Sequence, residues 1–412
     1  MTKEELSDLL GGWQGYHLGT VERIQISDTK RPHTEVWIEL LRNQGEEMMC
    51  SNCGNLTCKI HDWDDRWIRD LPIFDMETKL RVQRCRVKCP NCGPKLEAIP
   101  WLNRYSRVTE RLAASIARLC GLLPVEHVAS WFGLGWDQVK KIDKAALDLR
   151  LNPADLTGIE ELAMDEFALH KGHRYATVIA DPSTKRVLWI GEGRSREDIR
   201  PFFEMLGPDG CARIKAVAMD MNGGFEAEVR AQCPNAEVVF DLFHVVMTYG
   251  REVIDSVRKE EAGKCGAHSP ARKLIKGSRW LLLKNRENIN KEKDIVKLDE
   301  LLAANEQLMT VYVPKDDMKE IWRQRSAEAA FDCWIGWMHR AFDSNIKQLI
   351  DFTGRMSRHL MGILAHAKHP LHTGLLEGMN NTIKVIKRMA YGFRDAEYFF
   401  LKIRAAFPGN HG

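Results

Sequence analysis

Two patterns in this sequence offer metal chemistry. Cys50-Ser51-Asn52-Cys53-Gly54 and Cys89-Pro90-Asn91-Cys92-Gly93 are Cys-x-x-Cys-Gly knuckles with 35 residues between them. Two thiolates at that spacing grip one edge of a metal ion. The glycine permits the turn that aims backbone N–H groups at sulfur. Two knuckles complete a tetrahedral zinc site at Cys50, Cys53, Cys89 and Cys92. The intervening loop exceeds the commonest ~15–20 residues, so Cys58, His61 and Cys85 stay open as substitute ligands. A redox reading would need such a pair at a strand–helix junction. Cys120, Cys211, Cys233, Cys265 and Cys333 have no ligand spacing.

The second pattern is a set of carboxylates in apolar or basic surroundings. Asp165 lies inside Leu162-Ala163-Met164-Asp165-Glu166-Phe167, and Asp220 ends Ala216-Val217-Ala218-Met219-Asp220. A carboxylate among apolar strand residues is costly unless it is paired or binds a cation. Two such groups brought together could hold two Mg²⁺ ions ~3.5–4 Å apart, usually with a third acid. One ion would activate an attacking water or hydroxyl and the other would stabilise the leaving oxygen. An aspartate ending a strand also serves as a turn or helix cap. Glu166 alternates to the opposite face from Asp165 and is a reserve candidate only. Glu377 is the only acid between Gly354 and Arg394. Glu377, Asn381, Lys384 and Arg388 recur at helical spacing, with Lys387 beside them, so one stripe offers a metal ligand and then phosphate contacts. The alternative is a basic surface helix with an incidental acid.

The elements that must position these groups follow from periodicity. Apolar runs at 161–170, 174–181 and 185–192 are separated by the turns Lys171-Gly172-His173 and Asp181-Pro182-Ser183-Thr184, which predicts two hairpins. Ser195 with Asp198 opens a capped helix to about Leu206. A strand from Ile214 to Met219, a helix from Phe225 to Cys233, and a strand from Glu237 to Phe240 complete the order βββαβαβ. That is the order of a ribonuclease H-like sheet, whose first and fourth strands are neighbours. Upstream, Thr109 caps a helix from Glu110 to Leu119, with Leu112, Ile116 and Leu119 on one face. Pro124 starts a second, Val125 to Trp131, and Gly133-Leu134-Gly135 leads to a third, Trp136 to Leu149, with Val139, Ile142 and Ala146 inward. Short helices with a glycine turn before the last fit a helix-turn-helix module, with Lys140, Lys141 and Lys144 toward phosphates. A plain helical spacer fits as well. Leu151-Asn152-Pro153 is a linker.

The 412 residues carry 44% hydrophobic and 28% charged side chains and a net charge of only +3. That composition excludes a disordered or collagen-like chain, and the length calls for two to four domains. No run of ~18 apolar residues suggests a membrane span, and the polar, acidic start is not a secretory signal. Eleven cysteines then point to metal rather than disulfides, and a cytoplasmic site is expected. The small net charge hides segregation. Residues 79–111 carry +7, 151–243 carry −6, 271–297 carry +6 and 354–394 carry +6. Basic blocks around an acidic centre suit a polyanion held over a carboxylate site. Each block alone reads as a solvated surface.

With these residues in view, the sequence resembles the DDE transposases of bacterial insertion sequences, and within them the ISL3 group. The resemblance is carried by Arg86-Val87-Lys88-Cys89-Pro90-Asn91-Cys92-Gly93, Met164-Asp165-Glu166-Phe167, Asp220-Met221, the segment from Pro234 through Asp241-Leu242-Phe243-His244-Val245, and Glu377-Gly378-Met379-Asn380-Asn381 through Lys387-Arg388-Met389-Ala390-Tyr391-Gly392-Phe393-Arg394. It spans roughly residues 45 to 405. It implies a catalytic triad of Asp165, Asp220 and Glu377 holding two Mg²⁺ ions, with Mn²⁺ as a substitute. It places Asp241 and His244 close to that site. Leu242 stands where many relatives carry a basic residue.

The resemblance also implies an architecture. It is a multidomain α/β chain with a zinc-binding domain (1–100), a helix-turn-helix domain (101–152), and a ribonuclease H-like core (153–245 and 370–412) interrupted by an all-helical insertion (246–369). The Lys-, Leu-, Glu- and Trp-rich composition of the insertion agrees with helix. Within it, Trp334 and Trp337 read as core. Trp280 follows Arg272, Lys273, Lys276 and Arg279 and could stack on an unpaired base, though core packing is the default for Trp. His359, His366, His369 and His372 lack interleaved Cys or carboxylate, which favours phosphate contact or plain structure over a metal site. The expected partner is double-stranded DNA, both element ends and target, bound by a homo-oligomer that cleaves and transfers strands. The competing readings are a non-catalytic DNA-binding regulator and a nuclease or resolvase without strand transfer.

Overall fold

In a computed structural model of the chain, the described residues are 2–27, 32–170, 174–371 and 374–409, so the expected turn at 171–173 and His372 lie outside them. The chain forms two compact units: Met1–Asn152 with Met389–Gly392, and Pro153–Arg388 with Phe393–Gly412.

The first unit opens with helix α1 (Lys3–Leu9), then strands β1 (Tyr16–Ile26), β2 (His33–Arg42), the short β3 (Met48–Met49) and β4 (Leu56–Thr57), β5 (Ile60–Ile73), β6 (Met76–Cys89) and β7 (Gly93–Leu96). The sheet order is β1-β2-β6-β5, with β7 on the end of β6. Ile38 and Leu40 of β2 stand opposite Leu80 and Val82 of β6. Alternation sends all four into a core with Trp13, Tyr16, Ile68 and Leu102. Helices α2 (Glu110–Cys120), α3 (Val125–Phe132) and α4 (Trp136–Leu151) follow. Thr109 Oγ1 accepts the Leu112 N–H, and Gly133 closes α3 at a φ of 60°, a left-handed cap that glycine adopts without penalty. Leu112, Ile116, Val128, Phe132 and Val139 form the core of this helical group.

One detail of α4 differs from its periodicity. Its buried residues are Val139, Asp143 and Leu147, while Ile142 and Ala146 are only half-buried. The helix packs against both α2 and α3, so its covered face is broader than one stripe and centres on Asp143.

A single carboxylate joins sheet and helices. Asp70 of β5, 1% exposed, accepts from Trp13 Nε1 at 3.2 Å, Thr109 Oγ1 at 2.6 Å and Arg111 Nε at 2.8 Å. The adjacent Arg69 donates to the Phe132 carbonyl at 2.9 Å.

The second unit begins with β8 (Glu161–His170), β9 (Arg174–Asp181), β10 (Arg186–Glu192), α5 (Arg196–Arg213), β11 (Ala216–Met219), α6 (Gly223–Gln232) and β12 (Glu237–Phe240). Ser195 and Asp198 form the reciprocal cap of α5, which kinks at Gly207 rather than ending at Leu206. Sheet order is β10-β9-β8-β11-β12. β8, β9 and β10 are antiparallel neighbours, whereas β11 runs parallel to both β8 and β12.

From β12 the chain enters helices: α7 (Leu242–Tyr249), a π-helical turn Gly250–Ile254, α8 (Asp255–Lys264), α9 (Pro270–Gly277), α10 (Arg279–Leu283), α11 (Glu292–Ala303), α12 (Glu306–Arg323), α13 (Ala327–Asp343), α14 (Lys347–Met356) and α15 (Leu360–Leu364). Among the described residues between β12 and Leu371 there is no strand. Trp334 and Trp337 stack in the interior at 5.5 Å, with Trp337 Nε1 donating to the Pro314 carbonyl. Trp322 Nε1 donates to the Phe240 carbonyl at 3.3 Å and so anchors the helices to β12. Trp280 is not core: it is 69% exposed. Short α10 turns Leu282 inward behind the buried Ser278, which leaves position 280 outside.

Helices α16 (Gly374–Met389) and α17 (Ala396–Ala406) return to the sheet. The two sheet faces are covered differently. Leu162, Met164, Val217 and Met219 pack with residues of α5, α6 and the inserted helices. Ala163, Val178, Ala218 and Val239 pack with Leu376, Met379 and Ile383 of α16 and Phe399 and Ile403 of α17.

Candidate functional site

Strand register decides where the aspartates stand. Ala163 of β8 pairs with Ala218 of the parallel strand β11. Asp165 and Asp220 each follow two residues later, so they project at one level from neighbouring strands, on the alanine face. That face carries α16. Leu376, Met379 and Ile383 turn into the core, so the next residue around the helix in each case, Glu377, Asn380 and Lys384, points along its flank.

The result is a cleft of about 670 Å³ lined by Asp165, Asp220, Glu377, Asp241, His244, Asn380, Asn381 and Lys384, among others. Asp165 is 8% exposed. Its Oδ1 accepts the Glu166 N–H at 2.8 Å and its Oδ2 accepts Asn380 Nδ2 at 2.7 Å. Asp220 Oδ1 accepts the Asn222 N–H at 3.2 Å. Burial pushes both carboxyls above the usual carboxylate range. Asp220 raises Asp165 further and Glu166 raises Asp220, while His244 pulls both back down. Among the described residues no lysine or arginine forms an ion pair with Asp165, Asp220 or Glu377. Asp165 and Asp220, desolvated and without a lysine or arginine bonded to either, fit a divalent cation, with Glu377 exposed at the rim of the same cleft.

The three acids share the cleft without closing on one point: their oxygens do not all lie within 4.8 Å of one another.

Glu166 departs from its expected place. It lines the same cleft, and its carboxylate bonds Arg194 Nη1 at 2.8 Å, whose guanidinium lies 4.2 Å from the Tyr175 ring. Alternation along β8 holds, but β11 pairs with β8 only through Ala163. Beyond that point this edge of β8 has no strand beside it, so the cleft reaches round to the other face.

The helix stripe divides. Glu377, Asn381 and Lys384 line the cleft, but Arg388 does not. Lys387 is half-buried and its ammonium bonds the Leu169 carbonyl, tying α16 to β8 instead of projecting freely. Asn380, not anticipated from sequence, is the residue of α16 that touches Asp165. Asp241 stands at the N-terminal boundary of α7, 7% exposed, without a capping side-chain hydrogen bond. Among the described residues the histidines form no metal-ligating cluster. His359 lies edge-on to Phe240 at 5.2 Å, His366 is 6% exposed and His369 lies near Glu237 at 3.8 Å.

In the first unit Cys50, Cys53, Cys89 and Cys92 do converge, with all sulfurs within 4.8 Å of one another. Cys53 and Cys89 sulfurs are 3.5 Å apart, near the ~3.8 Å edge of a tetrahedron with Zn–S bonds of about 2.3 Å. Gly54 and Gly93 hold φ of 73° and 69°, the left-handed turn each knuckle needs. The Asn52 N–H directed at Cys50 lowers its thiol, while the crowding sulfurs of Cys92, Cys89 and Cys50 push Cys53 up, as expected of thiols that compete to be the first thiolate. Cys58 and His61 are exposed, and Cys85 is buried beside the cluster without joining it. A second cluster, His33, Glu35 and Glu77, is already neutralised by Lys79 at 2.7 Å and Arg69 at 2.8 Å. Lys141 of α4 is exposed, Lys140 lies 5.6 Å from the Trp136 ring, and Lys144 is half-buried.

Comparison with known proteins agrees with this layout. Residues 46–92 match the zinc-finger of the transposases of IS204, IS1001, IS1096 and IS1165. Residues 97–147 match the helix-turn-helix domain of transposase family ISL3. Residues 162–403, more than half of the chain, match the ISL3 transposase family model. A transposase for insertion sequence element IS1001 from Bordetella parapertussis is 50% identical over 411 residues, covering 100% of both chains. A transposase for insertion sequence element IS1557 from Mycobacterium tuberculosis is 27% identical over 399 residues, 88% of each chain. No helix among the described residues is long and apolar enough to cross a membrane. The chain belongs to the ISL3 family of insertion-sequence transposases.

Proposed function

We propose that this protein binds the terminal inverted repeats of its insertion sequence, cleaves DNA there and transfers the freed 3′ end to a target. The observation that carries the reading is the level placement of Asp165 and Asp220 on adjacent parallel strands, sharing a cleft with Glu377 and with no lysine or arginine paired to any of them. The strand order β10-β9-β8-β11-β12 supports a ribonuclease H-like core. That core comprises residues 153–245 and 370–412 around a helical insertion at 246–369. Ahead of it stand a zinc-binding domain at 1–100, with zinc on Cys50, Cys53, Cys89 and Cys92, and a helix-turn-helix at 101–152.

Asp165, Asp220 and Glu377 would hold two Mg²⁺ ions, or Mn²⁺ in their place. When bound, the ions activate the attacking water or 3′-hydroxyl and stabilise the charge on the leaving oxygen. The chain's own residues prepare that chemistry. Asn380 fixes the outer oxygen of Asp165. His244, with Asp241 at the root of its helix, offsets the mutual repulsion of the two aspartates. Asn381 and Lys384 meet phosphates on the cleft side of α16. Arg388 extends that contact, while Lys387 keeps the helix seated. Lys140, Lys141 and Lys144 meet the phosphates of the repeat. Phosphate contacts of this kind position the duplex without reading its sequence. Two element ends must be joined to one target, so the acting form is at least a dimer on DNA in the bacterial cytoplasm.

The deciding experiment is Mg²⁺-dependent cleavage of a labelled terminal repeat. Asp165→Ala should abolish it while leaving binding intact. Cleavage that persists in this variant removes the assigned site, and a wild type that binds the repeat without cleaving it leaves a DNA-binding regulator as the reading.

A further inference from the structure

The inserted helices carry a surface that the cleft does not use. Trp280 is 69% exposed. Between Cys265 and Arg286 there is no acid, and Arg272, Lys273, Lys276, Arg279, Lys284 and Arg286 supply six positive charges. Lys273, Lys276, Arg279 and Lys284 are exposed. On α9, Ile275 turns inward while its basic neighbours turn out, so the helix keeps one edge for solvent.

The indole is held rather than loose. The Arg279 guanidinium lies 5.2 Å from its ring centroid, and Arg279 Nε is itself 3.4 Å from Asp255 Oδ1. Asp255 is 2% exposed and also accepts from Arg258 Nε at 2.9 Å. A buried carboxylate thus orients an arginine, which backs the indole. Fixing the ring in advance lowers the entropy lost on binding.

The surface is connected to the cleft. α7, the π turn and α8 follow one another without a break from Leu242 to Lys264. His244, Thr248 and Arg251 on this rod line the cleft, and Asp255 comes one turn after Arg251. From His244 to Asp255 the rod rises roughly 16 Å at the helical 1.5 Å per residue.

We propose that Trp280 and its basic edge form a platform for unpaired DNA bases near the cut ends. Trp280 stacks on a base that has left the duplex, and Lys273, Lys276 and Lys284 contact the phosphates on either side. The chemistry selects this occupant. A single aromatic face among cations suits a flat base on a polyanion, whereas a protein partner would require a continuous apolar patch. Bases closed inside a duplex do not offer their faces. The inference rests on the DNA reading above and adds a preference for single-stranded over duplex DNA at one location.

The test compares two probes on the full-length chain without added magnesium: a blunt duplex, and the same duplex with a 3′ extension of about five nucleotides carrying 2-aminopurine. Wild type should bind the extended probe about tenfold more tightly and quench the fluorophore. Trp280→Ala should lose both effects with unchanged affinity for the blunt duplex, and Trp280→Phe should restore most of each. Lys273→Glu with Lys276→Glu should reduce the salt dependence of the extended probe alone. Equal preference in wild type and Trp280→Ala overturns the platform, as does a wild type that binds both probes alike. Failure of wild type to bind either probe overturns the DNA reading and the platform with it. Trp280 is exposed, so its truncation leaves no cavity and folding stays intact.

Discussion

Asn380 Nδ2 donates to Asp165 Oδ2 across 2.7 Å, linking the helix that carries Glu377 to the strand that carries the first aspartate. The two residues are 215 positions apart in sequence. That hydrogen bond is a direct tie between elements carrying two acids that no strand pairing relates, beside the packing of Leu376, Met379 and Ile383 and the Lys387 bond to the Leu169 carbonyl. Asn380 sits one turn beyond Glu377, so displacing it frees the Asp165 carboxylate while the buried face of α16 stays on the sheet.

Asn380→Ala should lower Mg²⁺-dependent cleavage by roughly tenfold or more, the value of a hydrogen bond to a charged group. Its mark should be a higher magnesium concentration for half-maximal rate. A variant with lower stability but an unchanged magnesium requirement would reduce Asn380 to a packing residue. Asn380→Asp adds a further negative charge to the cleft beside Asp165 and should shift the magnesium requirement in the opposite direction.

In the first unit, Asp70→Ala would strand Arg111, Thr109 and Trp13 around an empty acceptor. Removing one partner of a buried ion pair costs about 3–5 kcal/mol. Denaturant unfolding followed by tryptophan emission should show that loss. Asp70→Ala combined with Arg111→Met should recover a good part of it, because the uncompensated charge is gone.

The four-cysteine cluster should bind about one zinc per chain. Cys89→Ser should lose that zinc and expose residues near 46–97 to protease, while the second unit keeps its secondary structure. A strong chelator should reproduce this on wild type. A zinc content unchanged in Cys89→Ser would reassign the ligands.

Lys315 gives a pH signature. Its ammonium is buried beneath the Tyr312 ring and donates to the carbonyls of Lys284 at 2.7 Å and Leu282 at 3.1 Å, the end of α10. Burial lowers it from 10.5 to about 8. Between those values the unfolded chain holds a proton that the folded chain has released, so this group makes stability rise with pH from about 8 to 10.5. Below 8 its contribution is flat. Subtracting the curve of Lys315→Met from that of wild type isolates the rise from thiols titrating in the same window. A flat difference would mean that the ammonium remains charged.

Much of the site was legible because charge in the wrong place is visible in a sequence. Asp165 inside an apolar run, Glu377 as the lone acid of a basic stretch and the paired knuckles each stand out against their neighbours. Asn380 does not, since a neutral amide on a helix flank breaks no pattern. Glu166 was assigned to the far face by correct alternation, but its access depends on where β11 stops, which is set by another segment. The acids Glu35 and Glu77 meet through a parallel register between β2 and β6, and no local signal announces such a pairing. Trp280 went wrong for a related reason: the default for tryptophan is burial, and five-residue α10 buries Leu282 instead.

The π turn at Gly250–Ile254 sets the phase of the rod that leaves the cleft. Rewinding those five residues as ordinary α-helix, at about 100° per residue in place of the roughly 82° of an i→i+5 turn, would swing everything beyond by about 90°. His244 would keep its place beside the aspartates, whereas Asp255 would no longer face Arg279. The turn acts as a gear tooth: its wider pitch, more than any side chain in it, aims the inserted helices, and a deletion of one residue that restores ordinary α-helix should leave that aim nearly unchanged, since four residues at about 100° advance about as far as five at roughly 82°.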